Sequence, residues 1–585
     1  MVGIEMNKIK DTEDNSVRNA QSLDLKGVPF ERSDEWSVDE GADLGAFLQH
    51  GVAEIQKDGQ RALVAAPDTD AAGNAAIVAA SLAGLPIHRV DRYAFGRLLE
   101  AADRMKMCED AGLGLYRRDK LNSALYGIRP WQFAAAGAML ALAAYGTHLD
   151  PMAALNTGMA VIVAIMAVLV VFRMTCMFAS FYWQFKRTDD IDVRQLDDDA
   201  LPSYSILVPM LRERETTLRG LVSSLSRIDY PTDRLQVLFI LEETDQETRA
   251  IVDSIHMPEW FSVILIPDAD PHTKGKACNY AMNFVTGDYF TIYDAEDHPD
   301  PRQLKKAVAA FEKAGEKVVC VQSKLNFYNV KENWLTRMFT LDYSAWYYFM
   351  LPGMDALNLP ICLGGTSNHF KSRVVRDLCV WDAYNVTEDA DFGLRIAKSG
   401  MKTILIDSTT YEEANTSIPN WIRQRTRWMK GYMLTYLVHM RQPLALLKRL
   451  GLWGFLGMQL FVAGNFVGNL IIPPLLLTTL LWASAEIWGW TSVDFFPDEF
   501  WLPAIFALVV GNLGAIGFAM AAGIRRGIPS LVLYALTSPL YWALGVIATY
   551  RALWQVIFNP FHWEKTEHGL SKVDSGILLE QVKTS

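Results

Sequence analysis

The 585-residue chain is too long for one compact core, and its 51% apolar content with 17 Trp fits a membrane protein with a large soluble part better than a purely water-soluble one. A formal charge of −11 disfavours nucleic acid as a partner. The six Cys residues are scattered, with no Cys-x-x-Cys pair and no His/Cys cluster. That spacing indicates neither structural zinc nor a disulfide framework, and suits a reduced, cytosol-facing soluble part.

Residues 1–32 are polar and aperiodic, and are expected to be disordered; no apolar signal-peptide core is evident there. Residues 33–120 read as a small α/β unit of accessory or regulatory kind. It has strands at 61–66 and 87–90, a helix at 71–82 stopped by Gly84 and Pro86, and a second helix at 93–107. Within 129–175, two uncharged stretches, 131–149 and 152–172, are each long enough to cross a hydrocarbon core of roughly 30 Å as a helix. Arg117, Arg118, Lys120 and Arg129 precede this pair and Arg173, Lys186 and Arg187 follow it, while the link 146–151 has no Lys or Arg. The positive-inside bias places both flanks in the cytosol.

Residues 200–440 have the composition of a soluble α/β domain. Strands at 205–208, 236–241, 262–266, 289–293 and 318–322 alternate with helices at 218–226, 247–256, 277–285 and 301–314, which predicts a mostly parallel sheet with helices on both faces. Ligands of such sheets bind beyond the carboxyl ends of the strands. Glu213, Glu242 with Glu243, and Asp294, Glu296 and Asp297 fall at such ends. Three carboxylates at one strand end repel unless a cation neutralises them, and hard oxygen ligands suit Mg²⁺ or Mn²⁺; a solvated acidic turn is the plain alternative. The aromatic stretch 333–351 is read either as lying flat in the membrane interface or as packing on the sheet.

Beyond residue 437 the chain becomes apolar again. The basic residues Arg441, Lys448 and Arg449 lead into the run 452–482, interrupted by Pro473 and Pro474, and then into 500–522 and 531–552. The long run is read as two tightly joined spans or as an interface helix plus a span. About four spans are expected over 451–552, with a cytosolic tail at 553–585, although Arg525 and Arg526 then fall on the side that the charge rule disfavours.

Four stretches in this order resemble the inverting, membrane-embedded family 2 glycosyltransferases that include the cellulose, curdlan and hyaluronan synthases. They are Val208-Pro209-Met210 to Glu213, Asp294 to Asp297, Thr387-Glu388-Asp389, and Gln424-Arg425-Thr426-Arg427-Trp428. The resemblance covers about residues 200–570 and implies a glycosyltransferase-A-type domain inserted between transmembrane helices. By similarity, Asp389 is the catalytic base with Glu388 beside it. Glu213, Glu242, Lys276, Asp294 and Arg427 bind the sugar-nucleotide donor, and Gln424, Trp428, Gly365 and Thr366 face the acceptor. Asp294, with Glu296 or Asp297, holds Mg²⁺ or Mn²⁺; the sequence reads Asp-Ala-Glu-Asp where the family has Asp-x-Asp, so the second ligand stays open. The Thr-Glu-Asp triplet also reads as a helix start, with acidic residues favouring the dipole.

The implied activity is processive transfer of sugar from a UDP-sugar to a growing extracellular polysaccharide, moved through the protein's own channel in the lipid bilayer of a bacterial-type inner membrane. The rivals are a single transfer to a lipid acceptor and a catalytically silent scaffold of a secretion complex with other partners. Some relatives sense cyclic-di-GMP through separate domains, but residues 33–120 contain no Arg-x-x-x-Arg. Trp563-Glu564-Lys565-Thr566 resembles a recurrent tail element without an assigned chemical role.

Overall fold

The computed structural model describes residues 51–187, 193, 196–488 and 501–572, except 58, 59, 67, 68, 70, 563, 565 and 568, together with a two-residue strand at 37–38. The expected disorder of 1–32 and the end of the expected tail lie outside the described residues.

A first sheet joins β1 (Ser37–Val38), β2 (Val52–Lys57), β3 (Gln60–Ala65) and β4 (Ile87–Arg89) in that order, flanked by α1 (Ala71–Leu82) and α2 (Arg92–Arg118). The backbone of α2 leaves helical geometry at Asp103, whose side chain caps the second half by accepting from the Lys106 N–H at 2.9 Å. The helix therefore runs well beyond the expected end at residue 107.

The second sheet contains β5 (Tyr204–Met210), β6 (Leu235–Glu242), β7 (Phe261–Ile266), β8 (Tyr289–Ile292), β9 (His298–Pro299), β10 (Val318–Phe327), β11 (Asn368–Lys371) and β12 (Lys402–Glu412). Their spatial order is β7-β6-β5-β8-β11-β10-β12-β9. β7, β6, β5 and β8 are parallel, as are β10 and β12, whereas β11 and β9 run against their neighbours. The α/β class and the mostly parallel sheet are those the sequence indicates. Successive side chains of a strand point to opposite faces. Val237, Phe239 and Leu241 of β6 accordingly pack under the helices of one face with Ile206 and Val208, while Leu238 and Ile240 join Leu207 on the other.

That other face is covered in part by the N-terminal unit. Phe95, Leu98, Leu99, Met107 and Cys108 of α2 lie in one core with Leu207, Leu238, Ile264 and Tyr280. A Cβ on Gly96 would stand 2.6 Å from the Asn283 carbonyl oxygen, so α2 and the loop after α5 (Lys274–Ala281) touch backbone to backbone. Arg104 donates to the Leu265 carbonyl at 3.0 Å and pairs with Glu243 at 3.3 Å. The expected accessory unit is thus packed into the core of the second sheet's domain.

Among the described residues, three helical stretches are long and apolar enough to cross a membrane: Pro151–Trp183, Pro443–Leu481 and Pro529–Phe558. The first belongs to α4 (Pro151–Arg187), which follows α3 (Pro130–Leu149). Two follow the second sheet, where the sequence suggested about four. The run after residue 443 takes the form of a short helix plus a span. Helical residues 443–450 break at Gly451 (φ 68°, ψ 172°), and a long helix then continues into Gly464–Trp488. Arg525 and Arg526 donate to the carbonyls of Tyr348 and Phe327 at 3.2 and 2.6 Å, so they sit beside the domain of the second sheet. This corrects the expectation that they lie across the membrane from it. The aromatic stretch 333–351 packs between the sheet and these helices, with Met338 and Phe339 in one core with Ala519 and Ala535.

Candidate active site

A cavity of about 590 Å³ begins at the carboxyl ends of β5, β6 and β8 and continues between the apolar helices. Of the residues singled out in the sequence, Glu213, Glu242, Asp294, Glu296, Gly365, Thr366, Glu388, Asp389, Gln424, Arg427 and Trp428 line it, and Lys276 and Asp297 do not.

At the strand ends the chain is pinned by hydrogen bonds. The Glu213 N–H donates to Thr248 Oγ1 at 2.9 Å, and the Arg212 N–H donates to Asp245 across the gap from β5 to β6. Arg212 has φ of 53°, an uncommon conformation for a residue other than glycine, which turns the chain sharply after β5. Lys276 is fully buried. Its ammonium donates to the Ala269 carbonyl at 2.5 Å and lies 3.4 Å from Glu242, so it is held against Glu242 and does not line the cavity. Lys274, two residues earlier and so on nearly the opposite side of the helix, lines the cavity instead. It pairs with Asp294 and donates to the Gly365 carbonyl at 2.8 Å. Burial works against the charged form, yet Asp294 beside it holds the Lys274 ammonium above its ordinary range.

The acidic strand end divides in two. Asp297 is fully buried and accepts from the Asp294 N–H at 2.8 Å and from the Thr366 hydroxyl. Burial and the neighbouring Asp294 and Glu296 push its carboxyl well up. It holds the turn, and Thr366 spends its hydroxyl on Asp297 and on the Ile292 carbonyl at 3.0 Å. Asp294 and Glu296 face the cavity. Among the described residues no group of three His, Cys, Asp or Glu side chains converges as a ready-made metal site. Two carboxylates facing a cavity nevertheless fit Mg²⁺ or Mn²⁺, which are held by one or two carboxylates plus substrate phosphates and water. Glu412, at the end of β12, is a residue that the sequence reading missed. It lines the same cavity, and burial together with Asp297, Asp294 and Glu296 raises its carboxyl well above the usual range.

Opposite stands α6 (Glu388–Lys398). It begins at the Thr-Glu-Asp triplet, as the helix-start reading predicts, but Thr387 makes no side-chain cap; its N–H donates to Asn385 Oδ1 at 3.1 Å. Burial and Asp389 raise the Glu388 carboxyl, with Lys274 and Arg427 opposing. Burial likewise raises Asp389, opposed by the Ala390 N–H, Lys274 and Arg427. A Cβ on Gly365 would lie 3.4 Å from Asp389 Oδ2, and one on Gly364 only 2.4 Å from the Tyr347 hydroxyl. The loop therefore passes directly under the carboxylate.

The third wall is α7 (Ile418–His439). Gln424, Arg427 and Trp428 fall three and four residues apart, which puts them on one helical face. Gly431 continues that face; a Cβ there would meet Thr387 Oγ1 at 2.1 Å, so only glycine lets α7 close on the triplet. Arg425 pairs with Asp342 and donates to the Tyr541 hydroxyl at 3.0 Å. Its guanidinium lies 4.6 Å from the Trp428 ring and 5.1 Å from that of Trp421, a cation–π clamp on Trp428. The chain's tail crosses this region: Glu413 accepts the N–H groups of Gly569, Leu570 and Ser571, each at 2.8 Å. Thr566 lines the cavity, whereas Trp563 and Lys565 of the tail element lie outside the described residues.

Comparison with known proteins accords with this geometry. Residues 205–372 match the family described as glycosyl transferase family 2, and residues 289–557 match glycosyl transferase family group 2. The chain is 24% identical over 295 residues to the probable glycosyltransferase YdaM of Bacillus subtilis, covering 49% of this chain and 69% of that one. It is 24% identical over 396 residues to the beta-monoglucosyldiacylglycerol synthase of Synechocystis (64% and 76%). It is also 23% identical over 257 residues to the probable glucomannan 4-beta-mannosyltransferase 10 of Arabidopsis thaliana (40% and 44%). A solved mannosyltransferase from Pyrobaculum calidifontis, in complex with GDP-Man and Mn²⁺, aligns at 16% identity and a TM-score of 0.41, over 65% of this chain and 99% of that one. Two glycosyl transferase family 2 models thus match within residues 205–557, over the mostly parallel sheet and the helices that follow it.

Proposed function

We propose that the protein is an inverting glycosyltransferase that builds a polysaccharide from a nucleotide-sugar, UDP-linked in our reading, and moves the product through its own membrane helices. One observation carries this reading: a single cavity runs from Glu242 and Asp294, past Asp389 and Trp428, to Asn465, Asn469 and Asn512 among the apolar helices. The catalytic domain stands on the cytosolic side of a bacterial-type inner membrane. Glu213 and Glu242 contact the nucleoside end of the donor. Asp294 and Glu296 hold Mg²⁺ or Mn²⁺, which when bound neutralises the diphosphate as it leaves. Lys274 and Arg427 bring fixed positive charge to the same place, where negative charge grows in the transition state. Asp389 accepts the proton of the acceptor hydroxyl as it attacks the anomeric carbon. Trp428, clamped by Arg425, offers a flat apolar face to the acceptor sugar.

A second reading, one transfer to a lipid acceptor, is favoured by Met166, Val170, Met174 and Ile472, which line the membrane end of the cavity. The two separate in one assay. Proteoliposomes holding the full chain are given a panel of radiolabelled UDP- and GDP-sugars with Mn²⁺. Polymer that stays at the origin of a thin-layer plate and yields to glycosidase supports the first reading, and one organic-soluble labelled lipid supports the second. No nucleotide release from any donor would sink both.

A further inference from the structure

A second cavity, of about 170 Å³, lies at the foot of the catalytic domain and shares no lining residue with the first. It forms where four pieces of chain meet: the segment before α3, the C-terminal ends of α6 and α7, and the short helix 443–450. Lys398, Arg441 and Arg449 line it, with Asn122, His439 and Asp119. Like charges so close repel unless an anion joins them, and Asp119 is the single acidic lining residue.

The groups are held in place from behind. The Lys398 ammonium donates to Asn122 Oδ1 and lies 3.3 Å from His439 Nδ1. His439 Nε2 stands 2.9 Å from Asp391 Oδ1, so the tautomer with the proton on Nε2 satisfies both contacts. Arg441 donates to the carbonyls of Leu121, Ser123 and Gly127 at 2.7 to 2.9 Å, while its buried Nε has no hydrogen-bond partner. Arg449 makes no ion pair among the described residues. Burial, with Arg449 and Arg395 adding like charge, brings the Lys398 ammonium down to about 8.

The position is equally telling. Trp131, 44% exposed, opens α3 and donates from its ring N–H to the Arg441 carbonyl at 3.3 Å. Leu444, Leu452 and Trp453 are 80%, 67% and 55% exposed. Exposed Trp and Leu ringing the start of apolar helices mark the boundary between headgroups and acyl chains. A basic pocket between helices at that depth is suited to a phosphate headgroup.

We propose that this cavity binds a phosphate anion, either the phosphodiester of an acidic phospholipid or free phosphate, through Lys398, Arg449 and the Nε–H of Arg441. This rests on the membrane placement given above, not on the reaction. The site also touches the catalytic machinery from the far side. α6 starts at Glu388 and Asp389 and ends at Lys398, α7 carries Arg427 and Trp428 and ends at His439, and the buried contact of His439 with Asp391 ties the two helices together. An anion here fixes their relative position.

The test is binding, so that it stands whatever the enzyme transfers. The detergent-solubilised full chain is titrated with phosphatidylglycerol, with phosphatidylcholine and with inorganic phosphate, and bound ligand is counted by native mass spectrometry. One tight phosphatidylglycerol per chain is expected, weakened roughly tenfold or more by Arg449→Gln or Lys398→Gln and unchanged by Lys448→Gln, which is exposed outside the cavity. Tight binding of inorganic phosphate with the same dependence on residues, without retained lipid, assigns the site to free phosphate. Equal retention by all variants, equal loss with Lys448→Gln, or equal retention of phosphatidylcholine would overturn the proposal. Melting curves of each variant without ligand separate loss of the site from loss of the fold.

Discussion

At the scale of single residues, the site depends on which carboxylates face the cavity and which are consumed by the fold. The sequence leaves Glu296 and Asp297 as equivalent companions of Asp294, and only their surroundings separate them. Glu296→Gln is therefore expected to raise the Mn²⁺ concentration for half-maximal turnover by roughly tenfold or more, leaving the melting temperature unchanged. Asp297→Ala should do the reverse: it removes two hydrogen bonds from a buried turn, costs about 1–3 kcal/mol of stability and leaves the metal requirement of the folded fraction alone. A titration of activity against Mn²⁺, paired with thermal unfolding, checks both. Lys274 and Lys276 show the same limit, since two lysines two residues apart on a helix look alike until burial assigns one to Glu242 and the other to Asp294. The base gives a pH signature. Asp389 accepts a proton only when ionised, and burial raises both it and Glu388. Turnover should fall as pH drops through an apparent pKa above the ordinary carboxylate range, a value that belongs to the pair. Glu388→Gln removes the like charge, so this acid limb should move to lower pH; an unmoved limb in the pH–rate profile would separate Glu388 from the base.

At the scale of elements, the parallel half of the sheet was legible because β5 to β8 are apolar runs bounded by turns. The other half was not. β10 was expected to end at residue 322 and runs to Phe327, because Gln322, Ser323, Lys324 and Asn326 are buried polar residues. Each is satisfied by a partner distant in sequence, as in the contact of Lys324 with Asp407 at 2.5 Å and of Asn326 with Ser344 at 3.2 Å. No alternation signals a strand whose burial depends on partners that the sequence does not pair. β12 carries Asp407, Ser408 and two Thr in its middle and was missed for the same reason. The meeting of α6 and α7 rests on Gly431. Gly431→Ala puts a methyl where Thr387 stands, so α7 must shift and carry Arg427 and Trp428 with it. A displacement of about 1 Å at a reacting site costs on the order of 10²-fold in rate; steady-state kinetics on the purified variant should show this loss in kcat with the fold retained. An unaltered kcat would mean that the helices have slack the geometry does not suggest.

At the scale of the whole molecule, the N-terminal unit is not an appendage. Its segments were readable as an α/β unit, but the packing of α2 on the main sheet was not, since Phe95, Leu98 and Leu99 have the pattern of any amphipathic helix and nothing in them names their partner. Phe95→Ala is expected to cost about 3–5 kcal/mol and to lower the unfolding midpoint of the catalytic domain itself. A separate first transition with the second unmoved would restore the picture of an independent regulatory domain. Around that shared core, the cavity joins strand ends, the two carboxylates of α6 and the aromatic face of α7 to the apolar helices, and sugar transfer with Asp389 as base is the account's central claim. The most direct test compares wild type with Asp389→Asn in proteoliposomes, measuring release of nucleoside diphosphate from the preferred sugar nucleotide alongside binding of that nucleotide. The account predicts that Asp389→Asn binds the donor normally, keeps its melting temperature and releases almost no nucleoside diphosphate. Release at the wild-type rate by a folded Asp389→Asn protein would contradict it.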